Sequence, residues 1–76
     1  MSPRLPRISA TDLIRALARE GWYEDHQSGS HKILMHPNKR GRVSVPFHRG
    51  TMKTGTVQGI LDQAGLSADD LRRLLR

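Results

Sequence analysis

Residues 21–46, GWYEDHQSGSHKILMHPNKRGRVSVP, contain the pattern that decides the fold. Strand-like segments at 22–27, 31–36 and 42–45 are separated by a Ser-Gly-Ser turn and by a turn containing Pro, Asn and Gly. Val43 and Val45 share one face of the third segment, and Pro46 either ends that strand or places it at a sheet edge. The stretch predicts a three-stranded antiparallel meander.

A helix is predicted immediately before this stretch. Ser9 precedes Asp12 by three residues, and Leu13, Ile14 and Leu17 follow at helical spacing. We expect Ser9 to be the N-cap of a helix over about residues 10–20, which ends before a left-handed glycine at position 21.

Two further helices are predicted after the meander. An apolar stripe within residues 57–64 predicts a helix that is capped by Thr54 or Thr56 and stopped by Gly65. Ser67 with an acid three residues later then predicts a short terminal helix. The order α-β-β-β-α with a small last helix defines an α+β fold in which helices cover one face of the sheet.

Length and composition exclude several classes of protein. A chain of 76 residues is expected to form a single domain over residues 1–76, with a thin core. The sequence has no cysteine, which excludes disulfides and thiolate zinc sites. It also has no apolar run of membrane-spanning length, and residues 1–9 lack the apolar centre of a signal peptide. These features predict a soluble, cytoplasmic protein.

The net charge of +6 is concentrated in one part of the chain. Residues 1–19 carry +3, residues 20–26 carry −3 and residues 54–76 are neutral, whereas residues 27–53 carry six cations and no acid. Such a block is typical of a surface that binds polyanions, and nucleic acid is the favoured partner. The other interpretation is a solvated surface whose cations discourage edge-to-edge association of strands.

Three of the four histidines lie in the basic block. RNA is cleaved without a metal when a base takes the 2′-OH proton and an acid protonates the leaving 5′ oxygen, and histidine serves either role near neutral pH. His31, at the Gly-Ser turn, is the favoured catalytic candidate, and His48 is a secondary acid or base. His36 projects from the other strand face and is expected to be structural, whereas His26, beside Asp25 and outside the basic block, is expected to be an ordinary strand residue.

Binding candidates surround these histidines. Lys53 with Gly55 and Thr56 begins the predicted second helix, where exposed N–H groups and the helix dipole favour phosphate. Trp22 is expected in the core, which argues against a base-stacking platform. No set of His, Asp or Glu has metal-ligand spacing, so neither a metal nor another cofactor is predicted. The RNA- or phosphate-binding candidates are Lys32, Arg42, Arg49, Lys53, Gly55 and Thr56.

An ordered set of short motifs identifies a family. The motifs are Gly21-Trp22, Gly29-Ser30-His31, His36-Pro37, Val45-Pro46 with His48, Gly55-Thr56-Val57 with Ile60-Leu61, and Ala64-Gly65-Leu66. In this order and spacing, over about residues 9–75, the chain resembles the HicA toxins of HicA–HicB type II toxin–antitoxin pairs. One departure is at position 26, directly before Gln27 of the first strand. Family members often carry a basic residue there, whereas this chain has His26.

The resemblance implies a double-stranded-RNA-binding-domain-like fold and ribosome-independent mRNA endonuclease activity. It further implies that His31 is the catalytic histidine and that a HicB-like antitoxin covers the His31 face. The second proton-transfer group stays open among His48, Lys32 and a phosphate oxygen of the substrate. The alternative function is a non-catalytic module that binds double-stranded RNA by shape and phosphate contacts.

Overall fold

A computed structural model of the protein describes residues 5–76. The prediction that residues 1–9 lack a signal peptide falls partly on residues 1–4, which lie outside the described residues. The elements are α1 (Ala10–Arg19), β1 (Tyr23–Ser28), β2 (His31–Met35), β3 (Val43–Pro46), α2 (Thr54–Ala64) and α3 (Ala68–Leu74). The predicted α+β class and element order are confirmed.

The first helix begins and ends where its local signals predict. The Ser9 hydroxyl accepts a hydrogen bond of 3.2 Å from the Asp12 N–H, which satisfies one of the free donors of the first turn. The helix ends before Gly21, whose φ of 105° is accessible to glycine but costly for other residues. The N–H of Trp22 then donates to the Leu17 carbonyl and turns the chain toward the sheet.

The sheet is antiparallel with strand order β1-β2-β3. Lys32 pairs with Val45, and Leu34 with Val43, so these four residues share the face that packs against the helices. His31 lies opposite Pro46 on the outer face. Pro46 is therefore both the last residue of β3 and part of an edge strand, where its missing N–H costs no ladder hydrogen bond.

The core lies between this inner face and the helices. Leu13 and Leu17 of α1, Leu34, Val43 and Val45 of the sheet, Val57 and Leu61 of α2, and Leu71 of α3 are at most 1% exposed. Trp22 is also buried, as predicted, at 2% exposure. Burial of a large apolar side chain stabilises the fold by about 1.5–3 kcal/mol, so this cluster is the main source of stability.

The first two strand boundaries differ from the prediction by one residue, because Trp22 and His36 leave their strands and pack against each other. Their ring centroids are 5.2 Å apart in an edge-to-face arrangement. The predicted side-chain cap of α2 is wrong: Lys53 is the N-cap, no side chain caps it, and Thr54 is already helical. The stop at Gly65 is confirmed by its left-handed φ of 71°, and the Ser67 capping box begins α3 as predicted.

Candidate functional site

His31 is the first residue of β2 and projects from the outer face of the sheet. A turn precedes it in which Gly29 has a φ of 59° and its carbonyl accepts a 3.1 Å hydrogen bond from the Gln27 amide. The N–H of Phe47 donates to the Ser30 carbonyl at 2.6 Å and fixes the segment that follows β3 beside this turn. Within residues 5–76 the exposed His31 ring has no hydrogen-bond partner, so both nitrogens are available to a ligand.

His48 lies in the loop after β3, at the same end of the sheet. Its Nδ1 is 3.3 Å from the Arg49 carbonyl oxygen, and since a carbonyl only accepts, the neutral ring donates from Nδ1 and leaves the Nε2 lone pair free. His48 lines a pocket of about 340 Å³ together with Pro46, Lys53 and other residues. Because Pro46 also pairs with His31, the structure brings both candidate histidines to one end of the sheet.

The first turn of α2 borders the same pocket through Lys53 and Thr56. This turn contains no acidic residue and has no side-chain cap, so its backbone N–H groups are free of intramolecular side-chain partners. A Cβ added at Gly55 meets no atom within 4 Å, which shows that the space over the turn is open. Exposed N–H groups, a cation and the positive end of the helix dipole are suited to an anion such as phosphate.

Lys32 is placed differently from the other binding candidates. Strand alternation puts it on the face opposite His31, where its side chain is only 22% exposed. Its Nζ lies 3.0 Å from a Glu24 carboxylate oxygen and 4.1 Å from the centre of the Phe47 ring. Lys32 therefore ties β1 and β2 to the segment after β3, and a phosphate contact or proton transfer beside His31 would require these contacts to break.

The rest of the basic block divides between the two ends of the sheet. Arg42 precedes β3 and lies about 13 Å from Pro46 along the strand, since each residue advances roughly 3.3 Å. Lys39, near the same end, donates at 3.1 Å to the Ala64 carbonyl and so caps the C-terminus of α2. The structure therefore places Arg49 and Lys53 near the histidine pocket and does not bring Arg42 to it.

Sequence reasoning missed one residue at the histidine end, Arg7. The N–H of Met52 donates to the Ile8 carbonyl at 2.9 Å, and Ser9 forms a β-bridge with Thr51. These contacts bring Arg7 to the N-terminus of α2, where it lines a pocket of about 240 Å³ with Lys53 and neighbouring residues. The signal in the sequence is the net charge of +3 on residues 1–19. Along the chain this charge is offset by the −3 of residues 20–26, but in the fold Arg7 lies beside Lys53.

The other two histidines have intramolecular partners, as predicted for His36. The Nε2–H of His36 donates to the Glu20 carbonyl at 2.9 Å, and its Nδ1 accepts from the Asn38 N–H at 3.0 Å, so the ring joins α1 to the end of β2. His26 Nδ1 lies 2.7 Å from an Asp25 carboxylate oxygen. Neither ring has both nitrogens free, in contrast to His31.

Among residues 5–76, no three side chains of His, Cys, Asp or Glu are grouped so that they could hold a metal ion. In the same range, each helix is too short or too polar to reach across a bilayer.

Comparison with known proteins identifies the family. The family model for the HicA toxins of bacterial toxin–antitoxin systems matches residues 10–66, from the start of α1 to just after α2. Comparison with individual curated proteins gives no significant match. The matched range includes His31, His48 and the first turn of α2, whereas Arg7 and α3 lie outside it. The chain belongs to the HicA toxin family and is the toxin of a toxin–antitoxin pair.

Proposed function

We propose that the protein is a ribosome-independent mRNA endonuclease that cleaves RNA by metal-independent acid–base chemistry, with His31 as a catalytic residue. The observation that carries the proposal is that His31, with both ring nitrogens free, lies at the end of the sheet where Pro46, its partner in β3, lines the His48 pocket. Histidine transfers protons near neutral pH, and a pair of histidines supplies both the base and the acid that RNA cleavage needs.

The free lone pair on His48 Nε2 favours His48 as the base. It takes the proton of the ribose 2′-OH, and the 2′ oxygen forms a bond to phosphorus as the bond to the 5′ oxygen breaks. His31, protonated, gives its proton to that leaving oxygen. The products are a 2′,3′-cyclic phosphate and a free 5′-OH. This assignment chooses His48 over Lys32, since the Lys32 ammonium is held by Glu24 and Phe47 on the other face.

The cations and amides at this end of the sheet hold the substrate phosphates. Arg49 and Lys53 have no carboxylate partner within residues 5–76, so their charge is available to the RNA backbone. The free N–H groups around Gly55 and Thr56 offer hydrogen bonds to a phosphate, and their position beside the His48 pocket suits the negative charge that grows on phosphorus. Arg42 contributes only to an RNA long enough to reach the other end of the sheet.

The same surface is the proposed contact of the antitoxin. A HicB-like protein that covers His31 and the unpaired cations would block the substrate, and acidic residues on that partner would complement Arg49 and Lys53. Both proteins would act in the cytoplasm, where mRNA is available.

The chemistry is tested by the ends of the cleaved RNA. Purified protein is incubated with RNA in EDTA, and the products are examined for 2′,3′-cyclic phosphates. We expect these ends, and no cleavage where the attacking ribose is replaced by deoxyribose. Binding of double-stranded RNA without any cleavage would instead support the non-catalytic module. Products with a 5′-phosphate would contradict the proposed proton transfers.

A further inference from the structure

The segment after β3 forms the wall of two adjoining pockets. One, of about 340 Å³, is lined by Pro46, His48 and Thr56. The other, of about 240 Å³, is lined by Arg7 and Thr54. Thr51, Met52 and Lys53 line both pockets, so the two pockets adjoin each other along this segment, and together we call them the groove.

Main-chain contacts set the geometry of this groove. The Met52 N–H is bonded to the Ile8 carbonyl, and the Ser9–Thr51 bridge holds the next residues together. The Met52 side chain is 4% exposed and anchors the segment in the core. Arg7, which directly precedes the bonded Ile8, is therefore held beside Lys53 by the fold, although 45 residues separate them in the sequence.

The lining of the groove is suited to a polyanion. Arg7 and Lys53 are exposed and have no carboxylate partner within residues 5–76, and neither pocket is lined by an acid. The hydroxyls of Thr51, Thr54 and Thr56 add neutral donors. Arginine binds phosphate oxygens through a rigid fork of N–H donors, which distinguishes it from a general positive potential.

We propose that Arg7 forms, with Lys53, a phosphate subsite for a nucleotide distant from the scissile bond. This inference rests on the proposed function. The RNA passes from His31 and His48 over Lys53 to Arg7, so a substrate must extend beyond the cleaved dinucleotide to gain this contact. The enzyme therefore favours longer chains, and Arg7 determines part of that preference.

The test compares the cleavage of a long and a short RNA by the wild type, by Arg7→Gln and by a control variant. The measured quantity is kcat/KM for an oligonucleotide of about ten nucleotides divided by kcat/KM for a dinucleotide. We expect Arg7→Gln to lower this ratio by about three- to tenfold, mainly by raising the KM of the longer substrate. The control is Arg15→Gln, which removes the same charge from the exposed side of α1, where Arg15 lies 4.0 Å from Asp12. Arg15→Gln should leave the ratio unchanged.

Binding of an uncleavable oligonucleotide, with 2′-O-methyl ribose throughout, separates this inference from the proposed function. Arg7→Gln should reduce the slope of log affinity against log salt by about 0.7, the contribution of one phosphate contact on a single strand. That measurement remains valid even if the wild type cleaves no RNA, in which case only the proposed function fails. An Arg7→Gln protein with the substrate ratio and salt slope of Arg15→Gln would overturn the subsite.

Discussion

The imidazole of His36 occupies the space that a side chain at Gly21 would need. A Cβ built on Gly21 would lie 2.7 Å from His36 Nε2, the atom that donates to the Glu20 carbonyl. The turn after α1, the end of β2 and the ring of Trp22 meet at this point. The Gly-Trp and His-Pro motifs of the sequence are thus parts of one packing arrangement and lie apart from the His31 site.

Substitution of Gly21 should therefore destabilise the fold strongly. Gly21→Ala combines a strained φ of 105° with a clash against a ring that is fixed at both nitrogens. We expect the free energy of unfolding in urea to fall by about 2–4 kcal/mol. The matched control is Gly59→Ala within α2, where an added Cβ meets nothing within 4 Å. It should raise that free energy by about 0.5–1 kcal/mol, and equal effects of the two substitutions would contradict this packing.

Two lysines of the basic block should have separable roles. Lys39→Met removes the cation that caps α2 at Ala64, and we expect the free energy of unfolding to fall by about 1 kcal/mol with little change in RNA affinity. Lys53→Met removes an exposed cation of the groove, and we expect weaker RNA binding with a shallower salt dependence and unchanged stability. Urea denaturation and RNA titration of both variants measure these effects. Similar changes in stability and in RNA affinity for the two variants would contradict the separate roles of Lys39 and Lys53.

The capping box of α3 should make stability depend on acid pH. The hydrogen bond from the Ser67 backbone N–H, with smaller contributions from the Ser67 hydroxyl and Arg73, lowers the pKa of Asp70 below its ordinary value. A carboxyl whose folded-state pKa is lowered adds stability above its unfolded pKa of about 4, and this stability is lost as pH falls through the folded value. Asp70→Asn should therefore be less stable than wild type at pH 7, with a smaller difference near pH 3.

Asp69→Asn is the control for this linkage, because it removes the same charge from the first turn of α3 without touching the Ser67 box. Urea denaturation at both pH values compares the variants. A deficit for Asp70→Asn that is the same at pH 7 and pH 3 would contradict the assignment.

The proposed role of His48 as the base should be apparent in the pH dependence of cleavage. If His48 takes the 2′-OH proton, the plot of kcat/KM against pH is bell-shaped, and His48→Gln removes the limb that rises with pH. We expect its kcat/KM at neutral pH to fall by about 100-fold or more. Lys32→Met serves as the comparison, since its contacts with Glu24 and Phe47 are structural. If Lys32→Met, and not His48→Gln, lost the limb that rises with pH, the role of base would belong to Lys32.

Local signals predicted most of the fold. The Ser9 and Ser67 caps, the Gly65 stop and the strand alternation around Val43 and Val45 depend on neighbours within a few residues, and all appear in the structure. The cap of α2 was predicted wrongly because a threonine near a helix start resembles a cap, whereas here Thr54 already has helical conformation and Lys53 is the N-cap.

Long-range contacts explain what the sequence did not predict about the site. A β-bulge at Asp25 shifts the pairing of β1, so that Glu24 lies opposite Leu34 and shares a face with Lys32. In a regular register Asp25 would lie opposite Leu34 and Glu24 opposite Met35 on the other face, so the observed contact between Lys32 and Glu24 depends on the bulge. Arg7 likewise reaches the groove only through the contacts that join residues 8–9 to residues 51–52.

Cleavage of RNA in EDTA by His31→Gln, compared with His26→Gln, is the measurement that decides whether His31 is a catalytic residue. Both substitutions replace an exposed histidine of the outer sheet face, but only His31 has both ring nitrogens free, since His26 is bonded to Asp25. We predict that kcat/KM falls by about 100-fold or more for His31→Gln and changes by less than about twofold for His26→Gln. A folded His31→Gln protein that cleaves RNA at the wild-type rate would contradict a catalytic role for His31.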